Sequence, residues 1–156
     1  MTAPTAAQAV RAGRTLVAGV LLGLGTVAFV DEAVFHQILH WHHFYDRSTT
    51  EVGLVSDGLF HAFSWFATVA ALFLVAELRR ERAFWMRRFV AGWLVGAGFF
   101  QLYDGLVQHK LFGLHQIRYG VDLAPYDTVW NVVAAGLLLA GIVVTVVTGR
   151  VARRSA

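Results

Sequence analysis

Four apolar stretches of about 20 residues, 15–39, 59–76, 89–111 and 129–148, constrain this chain more than any other feature. A helix of that length crosses a bilayer core of roughly 30 Å at 1.5 Å per residue. The chain has 156 residues, 57% of them hydrophobic and only 15% charged, where a soluble domain would carry roughly a quarter charged residues. No length remains for a second, soluble domain. The expected fold class is therefore all-α: a single transmembrane domain over residues 1–156, a four-helix bundle whose partner is the lipid bilayer. The first stretch follows Arg11 and Arg14 as the core of a signal peptide would. Its apolar part is too long for that, and no small-residue cleavage site precedes the next polar stretch, so it is read as a retained helix.

The placement of charge orients the helices. Lys and Arg total 13. Ten lie at one side: Arg11, Arg14, Arg79, Arg80, Arg82, Arg87, Arg88, Arg150, Arg153 and Arg154. The positive-inside rule puts both termini and the 78–88 loop in the cytoplasm of a bacterial inner membrane, with the loops near 42–56 and 112–126 outside. The same distribution argues against a nucleic-acid partner despite a pI near 9.8. A protein partner, whether a second copy or another envelope protein, is left open. The chain has no cysteine, which excludes disulfides, thiolate metal sites and iron–sulfur clusters.

The chain also reads as a tandem repeat. VAGVLLGLG at 17–25 recurs as VAGWLVGAG at 90–98, an offset of 73 residues. The same offset pairs Asp31 with Asp104, Val34 with Val107, His36 with His109 and His42 with His115. At an offset of 70, Asp57 pairs with Asp127 and His61 with Asn131. Two helical hairpins, about 14–78 and 87–149, are expected to be related by a pseudo-two-fold axis along the membrane normal. Gly19/Gly23 and Gly92/Gly96 are GxxxG pairs that let the first and third helices approach closely.

Counting from the arginines places the polar residues in two layers. Asp31, His61, Asp104 and Asn131 lie about 24–29 Å from the inner boundary at 1.5 Å per residue. His36, Asp57, His109 and Asp127 lie about one turn further out. Each helix contributes one residue to each layer. Asp31 and His36 are five apart, about 140° around an ideal helix, and both copies keep this spacing. Either the helix is distorted there or the two residues serve different neighbours.

Ionisable groups in a membrane helix are costly and normally face a partner inside the bundle. His36, His109, Asp57 and Asp127 could close a four-ligand shell around one divalent ion, and imidazole with carboxylate suits zinc, iron, manganese or oxidised copper. Asp31, His61, Asp104 and Glu32 would stand behind that shell or hold a second metal. Haem is an alternative, with His36 and His109 as axial ligands, although Asp57 and Asp127 would then face the porphyrin. The plainest alternative is that these groups only pair with one another. A path for ions across the membrane finds little support, since only Gly, apolar residues and a few hydroxyls lie below Asp31 and Asp104. His40, His42 and His43 sit beside Trp41, Phe44 and Tyr45, and His115 follows the third helix. They fit either an aromatic belt or a metal-collecting vestibule, and only the His42/His115 pair is repeated.

The motifs DE-x-VFHQ-x-L-x-WHHFYD, SDGLFHAF, YDG-x-x-QHK, LHQIR and YD-x-x-WN resemble a bacterial family of predicted membrane proteins, domain of unknown function 2243. The resemblance runs from about residue 13 to 149 and implies a four-helix integral membrane protein without implying an activity. From the residues themselves the expectation is a metal-binding membrane protein. It would be either a metalloenzyme or redox protein, or a handler of copper or zinc in the envelope.

Overall fold

A computed structural model describes residues 4–155 and, among them, contains helices and no strand. After a single short turn, α1 (Ala6–Val10), come α2 (Ala12–Asp31), α3 (Thr50–Arg80), α4 (Met86–Leu102) and α5 (Ala124–Ser155). α2 continues without a break into a π-helical segment, π1 (Glu32–Ile38), and α4 into a second, π2 (Tyr103–Phe112). Counting the π segments with their helices, four spans are long and apolar enough to cross a membrane: Ala12–Ile38, Thr50–Arg80, Met86–Phe112 and Ala124–Arg154. The all-α, four-span reading of the sequence therefore holds.

The spans pack in the order α3, α2, α4, α5, and among the described residues α3 and α5 do not meet. The first and third spans are 39% and 44% buried over their most apolar windows, the second and fourth only 17%. The inner pair is the one that carries the paired glycines. A Cβ on Gly19 would strike the Phe89 carbonyl, and one on Gly92 the Leu16 carbonyl. Gly23 stands likewise against Trp93 O, and Gly96 against Val20 O. In the sequence these contact partners stand 73 residues apart, Leu16 against Phe89 and Val20 against Trp93. Only glycine permits a backbone approach this close.

The outer helices present their apolar side chains outward. Leu59, Phe66 and Phe73, seven residues apart on α3, are each at least 70% exposed. In a soluble protein such a face would be a liability; here it fits acyl chains. At one end of the bundle Arg14 pairs with Glu77 and Arg11 with Glu81, and Arg88 donates to Thr145 O and Thr148 Oγ1. These tie α2 to α3 and α4 to α5. Towards the other end, Ala28, Phe60 and Phe100 form a buried apolar floor, with Leu24, Val27 and Phe44 against it. The histidines stand above that floor.

Candidate metal centre

Both inner helices change their winding where the polar residues begin. π1 follows directly on Asp31, and π2 spans both Asp104 and His109. Hydrogen bonds in a π-helix run from i to i+5, as from Leu39 N to Val34 O at 2.9 Å. Residues five apart, which diverge on an α-helix, are thereby brought one above the other. His109 Nε2 lies 3.0 Å from Asp104 Oδ2, and His36 Nε2 lies 3.9 Å from Asp31 Oδ2. The awkward spacing in the sequence is the signature of these two π segments.

Each segment ends in the same way. His40 and Gly113 adopt left-handed backbones, φ 50° and 55°. Trp41 N bonds Phe35 O, and Leu114 N bonds Gln108 O, both at 2.9 Å. The chain reverses at these points and sends His42 and His115 back over the bundle. His42 Nδ1 is 3.0 Å from the Ile117 carbonyl, and His115 Nδ1 is 2.9 Å from the Phe44 carbonyl. This pair of bonds again exchanges under the 73-residue offset.

The result is a continuous cluster of four imidazoles. Ring centroids are 4.5 Å apart for His36/His42, 4.5 Å for His42/His115 and 4.6 Å for His109/His115, and the central pair is stacked within 9°. The cluster divides into two triads, Asp31/His36/His42 and Asp104/His109/His115. Within each, one atom from every residue lies within 4.8 Å of the other two. None of the six residues is more than 5% exposed.

A backbone carbonyl can only accept, so His42 and His115 each donate an Nδ1 proton to it and turn Nε2 inward. His36 does the same through Asp57, whose Oδ1 accepts from its Nδ1 at 3.0 Å. The Nε2 atoms of all four histidines are buried without a hydrogen-bond partner, as is His109 Nδ1. Burial, with His115 and His36 alongside, pushes the His42 imidazole down to about 2, so that ring is neutral. Among the described residues no Lys or Arg pairs with Asp31, Glu32, Asp57 or Asp104. Four buried carboxyl groups and four imidazoles thus crowd together with no Lys or Arg among their partners, a donor set that suits a bound cation.

The four-ligand shell expected from depth alone does not assemble. Asp57 stands behind His36 and accepts also from His43 Nδ1 at 2.6 Å and Phe44 N at 2.7 Å. Asp127 lies 2.6 Å from Lys110 Nζ. His61 is exposed, its ring against Phe29 at 5.7 Å. Glu32 Oε2 lies 3.0 Å from His36 Nδ1, and Oε1 accepts from Gln37; with His36 and Asp57 it forms a third acid–histidine grouping. Position 105, its counterpart, is a glycine against which Asn131 and Trp130 pack. His36 and His109 do join the cluster, but with Asp31 and Asp104 from the deeper layer. The residues undervalued in the sequence are His42 and His115, which lie past the helix ends where counting turns places nothing. Their pointer was the shared spacing, which sets them six residues past His36 and His109.

No curated protein and no solved structure matches the chain. The description "Predicted membrane protein (DUF2243)" belongs to a family that matches residues 18–148. That stretch contains the second and third spans, most of the first and fourth, and both triads, and the chain belongs to this family of predicted membrane proteins.

Proposed function

We propose that the protein is a membrane-embedded metal protein in which each Asp-His-His triad takes one divalent transition-metal ion. The observation that carries this reading is the set of four buried Nε2 atoms without hydrogen-bond partners, gathered beside two carboxylates. A ligating histidine ordinarily donates its other ring nitrogen to a carbonyl or carboxylate, which sets its tautomer and direction. His36, His42 and His115 are held in that way. Two histidines and one carboxylate leave coordination positions open, the pattern of non-haem iron(II) sites and of catalytic rather than structural zinc. The reading therefore favours an ion that meets a small ligand, as in a metalloenzyme or redox protein. Haem fits less well, because the rings of His42 and His115 fill the space between His36 and His109.

Ten of the 13 basic side chains lie at the other end of the bundle. By the positive-inside rule that end is cytoplasmic and the triads face the extracytoplasmic side of a bacterial plasma membrane. Handling of envelope copper or zinc is the second reading, favoured by the further histidines outside the cluster. The test is elemental analysis of protein purified in detergent and dialysed free of loose metal. Two ions per chain are expected, falling below one in the double substitution His42→Ala/His115→Ala. Metal-free wild-type protein that also takes up no iron, zinc or copper on titration would overturn the reading.

A further inference from the structure

Outside the cluster, His40, Trp41, His42, His43, Asp46 and Tyr119 line a cavity of about 330 Å³. Exposure falls along it: His40 and Tyr119 are exposed, His43 and Asp46 half-buried, His42 buried. His42 belongs to both places. It lines the cavity and supplies an unpartnered Nε2 to the cluster. His43 has given Nδ1 to Asp57, which leaves Nε2 as its one nitrogen for an outside ligand. Asp57 in turn holds His36, so a hydrogen-bonded chain runs from the cavity wall to a residue of the first triad.

Two features of this cavity are not required by the fold. First, His40 sits at φ 50°, a left-handed conformation that glycine adopts freely and other residues adopt at a cost. The counterpart position holds Gly113 at φ 55°, so the turn itself needs no imidazole. Second, the donors occur on one side only. Under the 73-residue offset His40, His43 and Asp46 fall on Gly113, Gln116 and Tyr119. The two halves are alike in the triads and unlike here.

We infer that this cavity is the inlet of the centre, where a hydrated divalent transition-metal ion exchanges water for His40, His43 and Asp46 before His42 passes it to the triads. Imidazole donors select first-row transition ions over magnesium and calcium, which prefer all-oxygen sites. The inference rests on the metal-centre reading, but it concerns the rate of loading and not the number of ions held.

Stopped-flow mixing of metal-free protein in detergent with cobalt(II) separates the two, because cobalt bound to nitrogen and oxygen ligands absorbs visibly. In His40→Gly/His43→Gln, which installs the residues of the second half, loading should slow at least tenfold while the final cobalt content stays at the wild-type value. His40→Gly alone keeps the left-handed turn and should slow loading several-fold, which decides the matter if the double variant is misfolded. Unchanged loading rates would overturn the inlet and leave the centre standing. A fall in final cobalt content with His40→Gly would also overturn it, since that residue would then belong to the centre itself. Wild-type protein that binds no cobalt, iron, zinc or copper would overturn both.

Discussion

His115 and His61 show why burial and tautomer matter more than residue type. Both are histidines of one amphiphilic chain, but His115 is 2% exposed with its Nδ1–H spent on a carbonyl, whereas His61 is exposed beside Phe29. Asp104→Asn should lower the metal content by about one ion per chain, and His61→Ala should leave it unchanged; elemental analysis of the two variants side by side checks this. Asp57 holds His36 from behind and is not expected to bind the ion itself. Asp57→Asn should weaken metal affinity about 10–100-fold, the usual cost of losing a partner that orients a ligand. The ion count at saturation should stay the same. Competition with a chelator of known affinity measures this, and an unchanged affinity would remove Asp57 from any supporting role.

Two elements place the site. One is the glycine contact of α2 and α4, whose backbones touch where Gly96 faces the Val20 carbonyl. Gly96→Ala should destabilise the bundle by about 1–3 kcal/mol, because the added methyl meets backbone that cannot rotate away. Thermal unfolding in detergent should show a lower midpoint, and a midpoint equal to wild type would mean that the helices can separate there at no cost. The other element is the pair of π segments. Each holds a carboxylate and a histidine five residues apart over one another, at the expense of regular i→i+4 bonding. Inserting one alanine after Ala33 would set Asp31 and His36 six residues apart and turn His36 away from Asp31. The expected outcome is loss of the first triad's ion with helical circular dichroism preserved. Retention of both ions would show that the five-residue spacing is dispensable.

For the whole molecule, the charge distribution predicts that a reporter fused after Arg154 is cytoplasmic and one inserted at Thr49 is external. A cytoplasmic Thr49 would place the triads and the inlet on the opposite side of the membrane. What the sequence determined by itself follows from local physics. Helix number and the all-α class were legible because lipid demands long apolar segments with internal hydrogen bonds. The close pairing of α2 and α4 was legible because GxxxG acts through its own backbone. The D-x4-H-x5-H spacing shared by both halves was legible as a pattern without a geometry. The tertiary structure decided which acids meet which histidines. Turn counting on straight α-helices put His36 beside Asp57 and His109 beside Asp127. The first of these contacts formed, through His36 Nδ1, but the π winding turned the Nε2 of both histidines towards Asp31 and Asp104, and Lys110 took Asp127. The positions of His42 and His115 depended on two chain reversals and on carbonyls 75 and 71 residues away. A contact of that kind leaves no periodic trace in the sequence, because it arises only when the two halves pack against each other.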